Sequence, residues 1–160
     1  MRCGIALGSN LGDRMENLRR AREALAALHQ GGEPMLCSRV WETEPVDCPP
    51  GAAPYLNAAV EIEFAGDPAT LLEALQAIER KSGRPDTRPR NAPRTLDLDA
   101  LYAGDTVLES GEILLPHPRM HLRRFVLIPL RDIRPELVSD LIQCAPAADV
   151  KLYSDHPQWK

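Results

Sequence analysis

The sequence predicts an α+β fold, with a ferredoxin-like βαββαβ core and C-terminal helical and hairpin additions in a three-layer αβα arrangement. Three observations predict it. Strand-like runs and helix-period stripes alternate in that order along residues 3–102. Each helical stripe opens on an aspartate that can cap it. A proline-punctuated tail then supplies short helical pieces to cover the sheet face the first two helices leave open.

Residues 3–8 are a short apolar run that ends in Gly8-Ser9-Asn10, a strand leaving into a turn. Asp13 with Glu16 three residues on has capping-box spacing, and Met15, Leu18, Leu25 and Leu28 keep a helical stripe as far as Gly31-Gly32. Residues 35–42 read as one strand, and a Pro- and Gly-rich loop runs from Glu44 to Pro54. Residues 55–64 alternate toward their end and give the next strand. Asp67-Pro68 is a cap followed by proline at the first helical position, and Leu71, Leu72, Leu75 and Ile78 carry the stripe toward Gly83. Residues 84–94 hold three prolines and no apolar period, so they form a loop. Thr95–Tyr102 is a strand whose Leu96, Leu98 and Tyr102 point to the core; Ala103-Gly104-Asp105 turns it into a short return strand at Thr106–Leu108. The tail adds helical pieces around Pro116, Pro118, Pro129 and Pro135.

A chain of 160 residues can bury a full core in one domain, here 1–160. With 44% hydrophobic and 26% charged residues it has globular composition, not that of a disordered chain. The net charge of −4 argues against a nucleic-acid coat, and no apolar run is long enough for a membrane span. Four cysteines (Cys3, Cys37, Cys48, Cys144) form no CxxC pair, and no apolar leader opens the chain, so reduced thiols in a cytoplasmic protein are expected. A monomer is expected.

The average charge conceals a concentration of cations. Arg80, Lys81, Arg84, Arg88, Arg90 and Arg94 fall within 15 residues, with Asp86 the only acid among them. Arginine outnumbers lysine 16 to 3, and guanidinium groups suit bidentate phosphate binding. Just beyond lie Asp97 and Asp99. Residues two apart on a strand share a face about 7 Å apart, so the two carboxylates project together. Such a pair repels itself unless a cation lies between, and Mg²⁺ is the usual one; the plain alternative is a solvated strand face. Carboxylates holding metal beside guanidinium groups make a polyphosphate site.

Pro116-His117-Pro118-Arg119, with His121, Arg123 and Arg124, sets a histidine in a rigid turn among cations. Phe125 and Tyr55 are two of only seven aromatic residues, and Asn57 shares a strand face with Tyr55. A ring for stacking beside an amide for hydrogen bonding suits a flat heteroaromatic ligand, although aromatics serve more often as core. Gly8-Ser9-Asn10-Leu11-Gly12 has no P-loop spacing and reads as a structural turn.

Four segments together resemble the 6-hydroxymethyl-7,8-dihydropterin pyrophosphokinase family. They are Ile5–Asn10, Tyr55–Val60, Pro93-Arg-Thr-Leu-Asp-Leu-Asp99, and Leu115-Pro-His117 with Arg123 and Phe125 after it. The segment Pro93–Asp99 is the most specific, and the match runs from residue 3 to about 138. The resemblance implies diphosphate transfer from ATP to the hydroxymethyl oxygen of the dihydropterin, with AMP released, in folate biosynthesis. It implies that Asp97 and Asp99 hold two Mg²⁺ ions and that Arg84 and Arg94 lie nearest the transferred group. Tyr55 and Phe125 would sandwich the pterin, and Asn57 with backbone groups of Thr43 and Val46 would read its polar edge. Glu79, Arg90, His117 and Arg123 would serve ATP. The chain departs from the family pattern at Asp86, Asn91, Glu112 and Pro118, in or near loops that close over ATP, and residues between Gly83 and Pro93 would form a mobile lid. The alternatives are a pterin- or nucleotide-binding module without turnover, and an RNA-binding domain with exposed aromatics on its sheet.

Overall fold

A computed structural model of the chain describes residues 1–45, 50–83, 93–154 and 159. Its strands are β1 (Arg2–Ser9), β2 (Leu36–Cys37), β3 (Val40–Thr43), β4 (Tyr55–Glu63), β5 (Asp97–Ala103) and β6 (Val150–Ser154). Its helices are α1 (Arg14–Leu28), α2 (Pro68–Lys81), α3 (Arg124–Ile133) and α4 (Pro135–Cys144). The sheet runs β5-β1-β4-β3-β6, with β2 also on β4, and every pairing is antiparallel. The first four positions of that order are the ferredoxin-like arrangement expected from the order of elements.

Strand alternation divides the core in two. Cys3, Ile5 and Leu7 of β1 and Leu56, Ala58, Val60 and Ile62 of β4 face one side, where they pack with Leu18, Ala21 and Leu25 of α1 and Leu71 and Leu75 of α2. Ala59 and Leu101 face the other side, beneath Val126, Leu127 and Leu130 of α3 and Val138 of α4. The result is the three-layer packing that the tail was expected to complete. Among the described residues helices pack on both faces, which does not fit the open aromatic sheet that an RNA-binding reading requires.

Both caps form as anticipated. Asp13 accepts the Glu16 N–H at 3.0 Å and Asp67 accepts the Thr70 N–H at 2.8 Å.

Four details depart from the expectations. The strand at 35–42 is broken at Ser38-Arg39, because the Ser38 hydroxyl takes the Ala59 N–H at 2.8 Å while its own N–H donates to the Ala59 carbonyl at 2.9 Å. The return strand at Thr106–Leu108 reduces to a single bridge, Leu108 to Leu115. β6 was not anticipated; only Val150 and Leu152 alternate there, and Leu152 is exposed, so its place is set by the β3 edge and not by a pattern. Tyr102 does not share the core of Leu96 and Leu98. An irregularity opposite Gly4 and Ile5 lets Tyr102 join Leu101 on the α3–α4 face.

Candidate active site

A cleft of about 560 Å³ opens on the α3–α4 side of the sheet. Its floor is β1, where Ala6 and Gly8 stand on the same face as Asn57 and Tyr55 of the paired β4 and Asp97 and Asp99 of β5. The smallness of Ala6 and Gly8 leaves the floor low: a methyl group on Gly8 would already touch Asn57 Oδ1 and the Tyr55 ring. This was the signal in Gly8 that a reading as a turn glycine missed.

One wall carries the paired carboxylates. Arg94 Nη1 lies 2.5 Å from Asp97 Oδ1, and Arg123 Nη1 lies 3.5 Å from Asp99 Oδ2. Burial, then the like charge of Asp97, push the Asp99 carboxyl above its ordinary range against the pull of His117, Arg123 and Arg94. Burial alone would lower Arg94, but Asp97 more than offsets it and holds the guanidinium firmly charged. Burial, with Arg123 and Arg119 nearby, lowers His117 from its ordinary value although Asp99 draws it up, so its imidazole is neutral near pH 7.

Arg94 is held from behind. The Asn10 side chain accepts the Arg94 N–H at 2.7 Å, and the Asn10 N–H donates to the Arg94 carbonyl at 3.0 Å. The His117 loop is fixed by its N–H to the Leu101 carbonyl at 2.8 Å, after a cis Leu115–Pro116 bond. Arg119, Arg124 and Leu122 complete this side. Arg94 Nε and Arg124 Nε are buried with no hydrogen-bond partner among the described residues, as is Arg19 Nε on α1.

The other end is aromatic and polar. Tyr55 and Phe125 both line the cleft with Asn57, Thr43 and Glu44. Asn57 Nδ2 donates to Thr43 Oγ1 at 2.8 Å, and both residues are buried. The Thr43 side chain thus fixes the rotamer of Asn57, a contribution beyond the backbone role expected of it. Pro146, Ala147 and Ala148, between α4 and β6, close this end; nothing in their sequence marked them as part of a site.

The structure brings together Thr43, Tyr55, Asn57, Arg94, Asp97, Asp99, His117, Arg123 and Phe125 in one cleft. Val46, Arg84 and Arg90 lie outside the described residues, as do Asp86, Asn91 and the body of the expected lid. Glu79 is not in the cleft lining. It is buried behind β5 and accepts the Leu98 N–H at 2.9 Å, so it bears on the aspartates through the strand that carries them.

No cluster of three or more His, Cys, Asp or Glu side chains capable of holding a metal occurs among the described residues. Two carboxylates in an open cleft nevertheless fit Mg²⁺, which keeps waters and takes its remaining ligands from substrate phosphates. No helix of the described residues is long and apolar enough to cross a membrane.

The chain was compared with known proteins. Residues 4–135 match the model of the 7,8-dihydro-6-hydroxymethylpterin-pyrophosphokinase family. A 2-amino-4-hydroxy-6-hydroxymethyldihydropteridine pyrophosphokinase of Bacillus subtilis is 46% identical over 132 residues, covering 81% of this chain and 75% of that protein. The Haemophilus influenzae protein of the same name is 36% identical over 156 residues, 98% of this chain and 95% of its own. A third, from Synechocystis, is 40% identical over 134 residues, 84% of this chain and 67% of its own. With the family match spanning most of the chain and the paired aspartates, cations and aromatic end in one cleft, the chain belongs to the 7,8-dihydro-6-hydroxymethylpterin-pyrophosphokinase family and is a pyrophosphokinase of folate biosynthesis.

Proposed function

We propose that the cleft binds ATP along its cationic wall and 6-hydroxymethyl-7,8-dihydropterin at its aromatic end, and joins them by diphosphate transfer. One observation carries this assignment of ends: Asp97, Asp99, Arg94 and Arg123 line the same cleft as Tyr55, Asn57 and Phe125. The pterin ring stacks on Tyr55 and Phe125, and Asn57, held by Thr43, meets its polar edge. Arg94, Arg123 and His117, which line the cleft, contact the phosphates. Arg84 and Arg90 complete the phosphate set in this reading and Val46 the pterin set, all three outside the described residues.

Asp97 and Asp99 would hold Mg²⁺, two ions in this reading, which neutralises phosphate charge when bound. The pterin hydroxymethyl oxygen attacks the β-phosphorus and gives its proton to solvent. The new O–P bond forms as the bond from the β-phosphorus to the α,β-bridging oxygen breaks, and AMP departs with that electron pair. The residues of the chain hold the two oxygens in line and stabilise the spread of negative charge; no strong protein base is needed. A module that binds without turnover is not favoured, since both carboxylates and the cation beside each are in place.

The test is AMP formation from ATP, expected only with both the hydroxymethyldihydropterin and Mg²⁺ present. Asp97→Ala and Asp99→Ala should each lower kcat by a factor of roughly 10³ while pterin binding stays measurable by calorimetry. Turnover unchanged in either variant would remove that carboxylate from the metal site.

A further inference from the structure

Arg14 lies at the start of α1, outside the cleft lining, yet three parts of the aromatic end meet on it. Its Nη1 donates to Glu42 Oε2 at 2.9 Å and to the Pro54 carbonyl at 2.7 Å. Its guanidinium carbon lies 5.6 Å from the centre of the Tyr153 ring, a cation–π distance. Each contact falls beside a cleft element. Glu42 immediately precedes Thr43, which orients Asn57, and Pro54 immediately precedes Tyr55; Thr43 and Tyr55 are themselves directly paired across β3 and β4. Tyr153 belongs to β6, which pairs Val150 with Thr43 and follows the Pro146–Ala148 wall.

We infer that Arg14 is a positioning residue for the pterin end of the cleft: it ties the end of β3, the start of β4 and the C-terminal strand into one rigid frame. The inference rests on the assignment of that end to the pterin. A charged group with an ionic, a carbonyl and an aromatic partner fixes three segments that share only short stretches of pairing. The C-terminal third of this frame lies beyond residues 4–135, the part of the chain the family model matches. Small misplacements of stacking and hydrogen-bonding groups are costly to binding, so loss of the frame should appear in pterin affinity before anything else.

The experiment measures pterin and ATP KM, kcat and thermal midpoint for the full chain, R14A, R14K and N57A. R14A should raise the pterin KM roughly tenfold and change the ATP KM and kcat by less than about twofold. R14K should recover most of the loss, because both hydrogen bonds come from a single nitrogen and an ammonium has three donors. N57A reports on the underlying assignment: it should weaken the pterin whether or not Arg14 matters. A normal pterin KM in R14A beside a raised one in N57A overturns the Arg14 inference alone. Unchanged pterin KM in both overturns the assignment of the pterin end. A loss in R14A shared equally by pterin and ATP, or tracking only a lower thermal midpoint, makes Arg14 merely structural and also overturns the inference.

Discussion

Glu61 shows how far one buried charge can be committed. It is 1% exposed, and Arg2 Nε donates to it at 2.6 Å, Arg134 Nε at 2.8 Å, and the Tyr102 hydroxyl closes the set. Burial by itself would raise its pKa, but the hydrogen bonds from Arg134, Tyr102 and Arg2 win and hold the carboxyl at about 2, below its ordinary 4.5. A depressed folded pKa adds stability that is complete above the unfolded value and lost as pH falls. The contribution, of order 3 kcal/mol, should therefore fade between about pH 4.5 and 2. Glu61→Gln should cost about 3–5 kcal/mol at pH 7, since it strips two guanidinium groups of their counter-charge. Urea unfolding at a series of pH values checks this: the gap between wild type and variant should narrow as pH falls, and a constant gap would contradict the linkage. The sequence reading did not mark Glu61. In a run that alternates Val60-Glu61-Ile62-Glu63 it has the look of a solvent-facing strand residue, and only α3 and α4, whose junction supplies Arg134, make its face an interior.

The same strand geometry explains Gly4. Gly4 stands between Glu61 on β4 and Tyr102 on β5, and a Cβ there would meet Tyr102 Cε1 at 2.3 Å. Only a glycine lets the tyrosine ring cross β1 to reach its carboxylate. At the level of elements, β5 is the sheet edge that carries the aspartates, and edges need covering. α2 covers this one by sending Glu79 to the Leu98 N–H. Glu79→Ala leaves that buried donor without its acceptor and should destabilise the chain by about 1–3 kcal/mol, whereas Glu79→Gln, which keeps a carbonyl oxygen, should lose much less. The ATP KM of the Gln variant should stay near that of wild type. A large rise with unchanged stability would instead mean that Glu79 meets the nucleotide. The caps, helical stripes and alternating strands were legible because each is a local pattern with a period of its own. β6 and the break at Ser38 were not, because each is dictated by a partner strand far away in the chain.

The whole molecule is held together in part by one residue far along the chain, Trp159. Trp159 is 1% exposed, packs in the core on the α1–α2 side, and its indole N–H donates to the Ser38 carbonyl at 2.5 Å. It satisfies the carbonyl left over where β2 and β3 part, so the tail stabilises the sheet it only reaches after 121 residues. Trp159→Ala should cost about 3–5 kcal/mol, read as a lower urea midpoint at unchanged slope. A shift under about 1 kcal/mol would mean that the tail does not hold this place in solution.

The sequence by itself determined the order of the core elements, the α+β class, and which candidate side chains share a strand face: Asp97 and Asp99 do because strand side chains alternate, and Tyr55 and Asn57 for the same reason. It also located the cations, although not where each would meet the acids. Only the tertiary structure decided that the face of Asp97 and the face of Tyr55 are the same face, because that depends on β1 pairing with both β4 and β5. It alone set Glu79 against the Leu98 N–H of β5, drew Pro146–Ala148 into the cleft wall, and set Arg14 against three segments at once. Local periods write the elements; contacts between residues distant in the chain carry no period, and only folding brings them to one place.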